Sequence, residues 1–233
     1  MKKAVFFLLT IMLILSCNNA ENSTKIRQNS GLSLDQNVNQ KLSVAEKIAN
    51  KNGYNNWKDV SEISFTFNVY RGDNHFERSW VWNPKTDDVL MMSSKDTVHY
   101  NRANIDSSNQ KNDASFINDK YWLLAPFNLV WDVGTTFSVK HNVIAPISKD
   151  TLNQLTIVYS NVGGYTPGDA YDFFYGKDFL IKEWTYRKNN DSIPSLNTTW
   201  EDYENFNGIT ISKTRKDSTG FFNIIFTNIS VKR

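Results

Sequence analysis

The chain has 233 residues and a formal net charge of +2, and 14% of its side chains are aromatic (15 Phe, 10 Tyr, 7 Trp). A balance this close to neutral offers no clustered basic face for nucleic acid, and a single cysteine excludes an internal disulfide. Stability must come from the aromatics, which each cover roughly 150–250 Å² when buried.

The chain opens with Lys2 and Lys3, continues through Ala4 to Leu15 with only Thr10 interrupting the apolar run, and reaches Cys17. That run is well short of the ~20 residues a membrane-spanning helix requires. It predicts a secretory signal over residues 1–16. Ile14-Leu15-Ser16-Cys17 resembles the lipobox of bacterial lipoproteins. The resemblance implies a thioether-linked diacylglycerol on Cys17, cleavage after Ser16 and acylation of the new amino group by a palmitate-like chain. At ~0.8 kcal/mol per buried methylene, several acyl chains anchor a protein far more firmly than one. The expected location is therefore the cell envelope, with the chain lipid-anchored rather than spanning. Asn18 and Asn19 are not the aspartate familiar as an inner-membrane retention signal, which directs the expectation to the outer membrane. Losing the leader discards two lysines and leaves 24 basic against 24 acidic side chains. With Cys17 lipidated, thiolate metal sites and cysteine nucleophiles are excluded as well.

From Asn18 to about Gln40 the residues are mostly polar, too poor in apolar groups to offset the entropy of ordering them. Residues 17–41 are expected to be a flexible tether, and residues 42–233 a single domain. Ser43-Val44-Ala45-Glu46 is a capping-box pattern that opens a short amphipathic helix, with Gly53 placed to end it. After Trp57 the period becomes two. Ile63, Phe65, Phe67 and Val69 alternate with polar residues, and Phe76, Arg78, Trp80 and Trp82 share a face beyond the Gly72-Asp73-Asn74 turn, predicting a hairpin. Further strands are predicted at Val89–Met92, Thr97–Arg102, Thr136–His141, Leu155–Val162, Tyr171–Tyr175, Phe179–Arg187, Thr198–Tyr203, Ile209–Thr214 and Phe221–Val231. Phe221, Phe222, Ile224, Ile225 and Phe226 place apolar groups on both faces, so the start of the last strand is expected to be covered on both sides. Ala114 to Trp131 lacks alternation and contains Pro126, predicting one or two short helices across the sheet. The predicted fold class is mainly β with a few helices, built on a large antiparallel meander.

His75, His99 and His141 are scattered and lack partners at helical spacing, so no metal site is predicted. Glu201, Asp202 and Glu204 are the densest acidic cluster; paired carboxylates serve glycoside hydrolysis, but on a strand Glu201 points away from the other two and a solvated face accounts for them. Asp169 and Asp172 lack the alternating acidic loop that calcium favours. Gly163-Gly164-Tyr165-Thr166-Pro167-Gly168-Asp169 has glycines that suit an anion cradle, yet Pro167-Gly168 also fits the centre of a type II turn. Trp80, Trp82, Tyr121, Trp122, Phe127, Trp131 and Trp184 are candidates to line a cavity for an apolar ligand. They fit a filled core equally well.

Two stretches carry a resemblance to a family. Tyr121-Trp122-Leu123-Leu124-Ala125-Pro126-Phe127-Asn128-Leu129 and Gly164-Tyr165-Thr166-Pro167-Gly168-Asp169-Ala170-Tyr171, followed by Trp184-Thr185-Tyr186, are similar to segments of cell-envelope lipoproteins distantly related to the outer-membrane lipoprotein-sorting carriers, the LolA/LolB-like proteins. The resemblance implies a half-open antiparallel barrel roofed by short helices, whose concavity holds acyl chains. It places ligand contacts at Trp80, Trp82, Tyr121, Trp122, Phe127 and Trp184, and a loop motif at Gly164, Tyr165, Pro167 and Asp169. The expected function is non-enzymatic binding of an apolar ligand, a lipid or an acylated protein, at a membrane reached through the lipid anchor. No cofactor, metal or nucleic acid is expected. Permanent anchoring favours a receptor, acceptor or accessory role over a shuttle. The alternative is a structural or interaction lipoprotein with a filled core that binds a protein partner.

Overall fold

A computed structural model describes residues 42–162 and 165–233. The signal over 1–16, Cys17, the tether and Gly164 of the loop motif lie outside the described residues.

The first helix, α1 (Val44–Lys51), begins as its capping box dictates. Ser43 Oγ accepts from the Glu46 N–H at 3.2 Å, and the Glu46 carboxylate accepts from the Ser43 N–H at 2.7 Å. Ala45, Ile48 and Ala49 are buried on one face. Gly53 follows with φ +92°, and a Cβ there would lie 2.1 Å from the Gly208 carbonyl oxygen, so both conformation and space require glycine. A six-residue 3₁₀ helix, Tyr54–Asp59, leads into the strands.

The strands are β1 (Glu62–Arg71), β2 (Asn74–Asn83), β3 (Asp88–Met92), β4 (Thr97–Asn101), β5 (Thr135–Ile144), β6 (Thr151–Tyr159), β7 (Ala170–Tyr175), β8 (Ile181–Arg187), β9 (Leu196–Thr199), β10 (Glu201–Phe206), β11 (Ile209–Lys216) and β12 (Phe222–Lys232). Every pairing is antiparallel. The hydrogen bonds divide them into a seven-stranded sheet, β10-β11-β12-β1-β2-β3-β4, and a five-stranded sheet, β5-β6-β7-β8-β9. The predicted hairpin is β1 and β2, with Ile63 opposite Trp82 and Phe65 opposite Trp80.

The segment expected as one strand, Thr198–Tyr203, is instead two strands in different sheets. The break is Trp200, which is buried and whose N–H donates to Lys182 O at 2.8 Å. Asp202, with φ +56°, disturbs the alternation just beyond it. Through Trp200 the end of one sheet continues into the end of the other, while β4 and β5 remain as free edges. The result is a mainly β, half-open barrel that does not close.

A second helix, α2 (Gln110–Trp131), joins the two free edges. It begins four residues before the expected start and is one 22-residue element with a kink at Leu124, where φ is −118° and ψ is 23°. Pro126 explains the kink. It has no N–H to give to the carbonyl four residues back, which belongs to Trp122, and its ring crowds that turn. The carbonyl so freed accepts from Arg215 Nη2 at 2.9 Å. Arg215 is fully buried, donates further to the Ser212 and Thr214 carbonyls, and stands 3.2 Å over the Trp200 ring. One side chain thus connects the bend of α2, strand β11 and the hinge residue between the sheets.

α2 packs on both sheets. Phe116, Leu123, Leu124 and Phe127 join the seven-stranded side with Phe65, Trp80 and Trp82. Ala125 and Leu129 join Leu155, Phe173 and Trp184 of the five-stranded side. The strand buried on both faces is β7, not the start of β12. Phe221 is exposed and Ile225 only half-buried, because no helix or second sheet among the described residues covers the outer face of β12, whereas Asp172 on the outer face of β7 is closed over by Arg187.

Candidate functional site: an apolar cavity between the sheets

The filling of the barrel is incomplete. Beyond the part of β1 that α2 covers, the sheets and the first half of α2 enclose a cavity of about 1220 Å³, larger than the roughly 300–1,000 Å³ of common ligand pockets. Phe67 and Val69 of β1 and Phe222 and Ile224 of β12 form one wall. Tyr171, Trp184 and Tyr186 form the opposite wall, and Ile117, Tyr121 and Trp122 of α2 lie between them. Trp122 sits 4.5 Å from Trp184, which stacks on Tyr171 at 5.3 Å with 23° between the rings. Tyr121 stands 5.0 Å from Tyr171.

The six aromatics expected at the ligand divide in two. Tyr121, Trp122 and Trp184 line the cavity. Trp80, Trp82 and Phe127 do not; they belong to the closed core, where α2 presses directly on the seven-stranded sheet. Trp80 meets Phe116 at 5.3 Å, Trp82 meets Trp57 and Phe116 at 5.5 Å, and Phe127 packs against Tyr54, Trp57 and Trp131. Trp131, by contrast, does reach the cavity wall. Phe67, Val69, Phe222 and Ile224 escaped notice as site residues. Their sequence signal was parity alone, which is the same for wall and core.

The cavity also has a polar end. Asp132, just past α2, accepts from both the Asn128 amide at 3.0 Å and the Tyr159 hydroxyl at 2.5 Å. Lys120 lines the same cavity at 8% exposure, its ammonium 5.2 Å from the centre of the Trp131 ring. Burial lowers its pKa from 10.5 to about 8, opposed in part by the charge of Asp132. Arg78, also on the wall, is neutralised from behind by a bidentate pair with the fully buried Asp119, at 2.9 and 2.8 Å. The Trp80 indole N–H donates to the same carboxylate at 2.8 Å.

The loop before β7 is fixed by ordinary turn chemistry. The Asp169 N–H donates to Thr166 O at 3.2 Å and Gly168 has φ +79°, as a type II turn centred on Pro167-Gly168 requires. The Tyr165 hydroxyl donates to Asp113 at 2.5 Å, and Asp169 accepts from Tyr186 and from the Asn189 N–H. Asp113 is completely buried and also accepts from Arg102 and Tyr100, which ties this loop to the first turn of α2. Glu201 pairs with Lys216 and Glu204 with Lys213 on an exposed face, so the acidic cluster forms a surface ladder rather than a facing pair. His75 stacks on Tyr70 and bonds Asn68, His141 bonds Asn153, and His99 is exposed. Asp172 faces Arg187 and Thr156. Among the described residues no three or more of His, Cys, Asp and Glu gather as metal ligands, and no helix is long and apolar enough to cross a membrane.

The sequence matches no protein-family model and no curated protein. Among solved structures it is similar to a DUF1329 family protein from Desulfovibrio piger, at 10% identity and a TM-score of 0.47, over 81% of this chain and 92% of that one. It is also similar to a LolA superfamily protein from Nitrosomonas europaea, at 8% identity and a TM-score of 0.48, over 82% of this chain and 95% of that one.

Proposed function

We propose that this chain is a lipid-anchored envelope lipoprotein that binds an apolar ligand, a lipid or the acyl chains of a partner, in the cavity between its sheets. The observation that carries the proposal is the cavity itself: about 1220 Å³ walled mainly by aromatic and aliphatic side chains drawn from both sheets and α2. Apolar surface left unfilled forgoes the dispersion contacts of a close-packed interior and gains them when an apolar molecule enters. A filled core, the premise of the interaction-module alternative, is not what these residues build. Cys17, with the lipobox-like segment before it, is the proposed attachment to the membrane, and the outer membrane is the proposed location.

Binding is tested on the full-length chain in vesicles with a photoreactive fatty-acid probe and peptide mapping. Labels are expected on the α2 peptide containing Ile117 to Trp122 and on the β8 peptide containing Trp184. Ile117→Trp, which puts extra bulk into the cavity, is expected to cut that labelling about tenfold, the equivalent of losing one or two buried methylenes of contact. Labels scattered over the outer surface, or undiminished labelling of the variant, would count against the cavity as the binding site. An unmodified Cys17 sulfur in the mature chain would remove the anchor.

A further inference from the structure

Resting on the ligand-binding reading above, the geometry points to a more specific occupant: an amphiphile with an anionic oxygen head, a carboxylate or a phosphate, that meets Lys120 while its chain lies along Trp122 and Trp184. The Lys120 ammonium makes no hydrogen bond and no ion pair within 4 Å among the described residues. It lies over the face of Trp131, and Asp132 acts on it only from beyond ion-pair distance, so its charge is offset in part. An ammonium that faces the cavity without a protein acceptor gains a charge-assisted hydrogen bond when an anionic oxygen arrives.

The acidic side chains nearby already accept from protein donors, and Arg71, a further cation on the wall unpaired among the described residues, is exposed beside the Phe222 ring. Asp132 is engaged by Asn128 and Tyr159, and Asp113 by Arg102, Tyr165 and Tyr100. Arg78 is held by Asp119. Lys120 is the buried cation of this wall that protein carboxylates leave over. Close by, the buried Tyr121 hydroxyl lies beside that of Tyr159 without meeting hydrogen-bond geometry, and both it and Lys120 lie within electrostatic reach of Asp132. Deeper in the cavity the buried Trp184 indole N–H has no partner either. What this wall lacks is acceptors. A hydrocarbon or a cationic amphiphile offers the ammonium nothing, whereas an anionic oxygen group gives it a charge-assisted hydrogen bond.

The full-length chain, reconstituted in phosphatidylcholine vesicles, is exposed to three photoreactive probes with the same alkyl chain, ending in a carboxylate, a phosphate or a primary alcohol. The better anionic probe is expected to label the cavity peptides about tenfold more than the alcohol does, the discrimination of one charge-assisted hydrogen bond. Lys120→Met is expected to reduce it to the level of the alcohol, and Lys120→Arg to retain the preference. The ranking of carboxylate against phosphate then separates a fatty acid from a phospholipid-type head. Equal labelling of the cavity peptides by all three probes, or a Lys120→Met protein that labels like the wild type, overturns the head-group assignment while apolar binding stands. Absence of cavity labelling with every probe overturns both.

Discussion

Asp119→Ala is expected to destabilise the fold by about 3–5 kcal/mol, the usual consequence of removing one partner of a buried ion pair. The carboxylate is fully buried and receives four donors: two from Arg78, one from the Trp80 indole and one from Asn118. Truncation strands the guanidinium behind the cavity wall and leaves the Trp80 N–H unpaired in the driest part of the core. Asp119→Asn keeps an acceptor for Trp80 and loses only the charge, so it is expected to cost less. Urea denaturation followed by tryptophan fluorescence measures both. Equal losses in the two variants would mean that the charge on Asp119 accounts for the whole effect and the neutral acceptor for none of it.

Folded stability is expected to rise by about 1 kcal/mol between pH 8 and pH 9, and then to fall. The rise comes from Lys120. In the unfolded chain it keeps its proton up to about 10.5, whereas in the fold it releases it near 8, so between these values the unfolded state binds more protons and stability increases with pH. The charges that act on it are Asp132 and Asp113, which favour the proton, and Arg102, which opposes it. Above about pH 9 the sign reverses. Burial raises the hydroxyls of Tyr121, Tyr159, Tyr171 and Tyr203, which stay protonated in the fold after their unfolded counterparts have ionised. Lys120→Met is expected to flatten the rise and leave the fall. A wild-type curve that does not rise between pH 8 and pH 9 would show the ammonium to be better solvated than its surroundings indicate.

Much of the fold is legible in the sequence because alternation is a local property. The hairpin of β1 and β2, the capped first helix and the Pro167-Gly168 turn each follow from a handful of adjacent residues. The division into two sheets is not legible. Thr198 to Tyr203 reads as one strand, and only tertiary packing turns Trp200 into the point where the chain changes sheets. The start of α2 is hidden as well, since Gln110 to Asp113 are polar and Asp113 becomes core only through Arg102, Tyr100 and Tyr165, residues distant in the chain.

The site was half visible for a related reason. Periodicity tells which face of a strand turns inward but not how far along that face a crossing helix reaches. Trp80 and Phe67 both face inward, yet α2 covers Trp80 and leaves Phe67 on the cavity wall. Lys120 escaped because a lysine on a helix ordinarily belongs to solvent. Its burial follows from the bend at Leu124, which brings Trp131 over it.

That bend ties two distant positions together. Pro126 withholds one donor and Arg215 supplies it, so the proline depends on the arginine: an alanine at 126 would restore the helical bond and make the arginine superfluous at that carbonyl, whereas a leucine at 215 would leave the carbonyl dry and unmet. Substituted singly, the pair should be strongly non-additive. In descendants of this sequence the imino acid and the guanidinium are therefore expected to be inherited, or lost, as a couple.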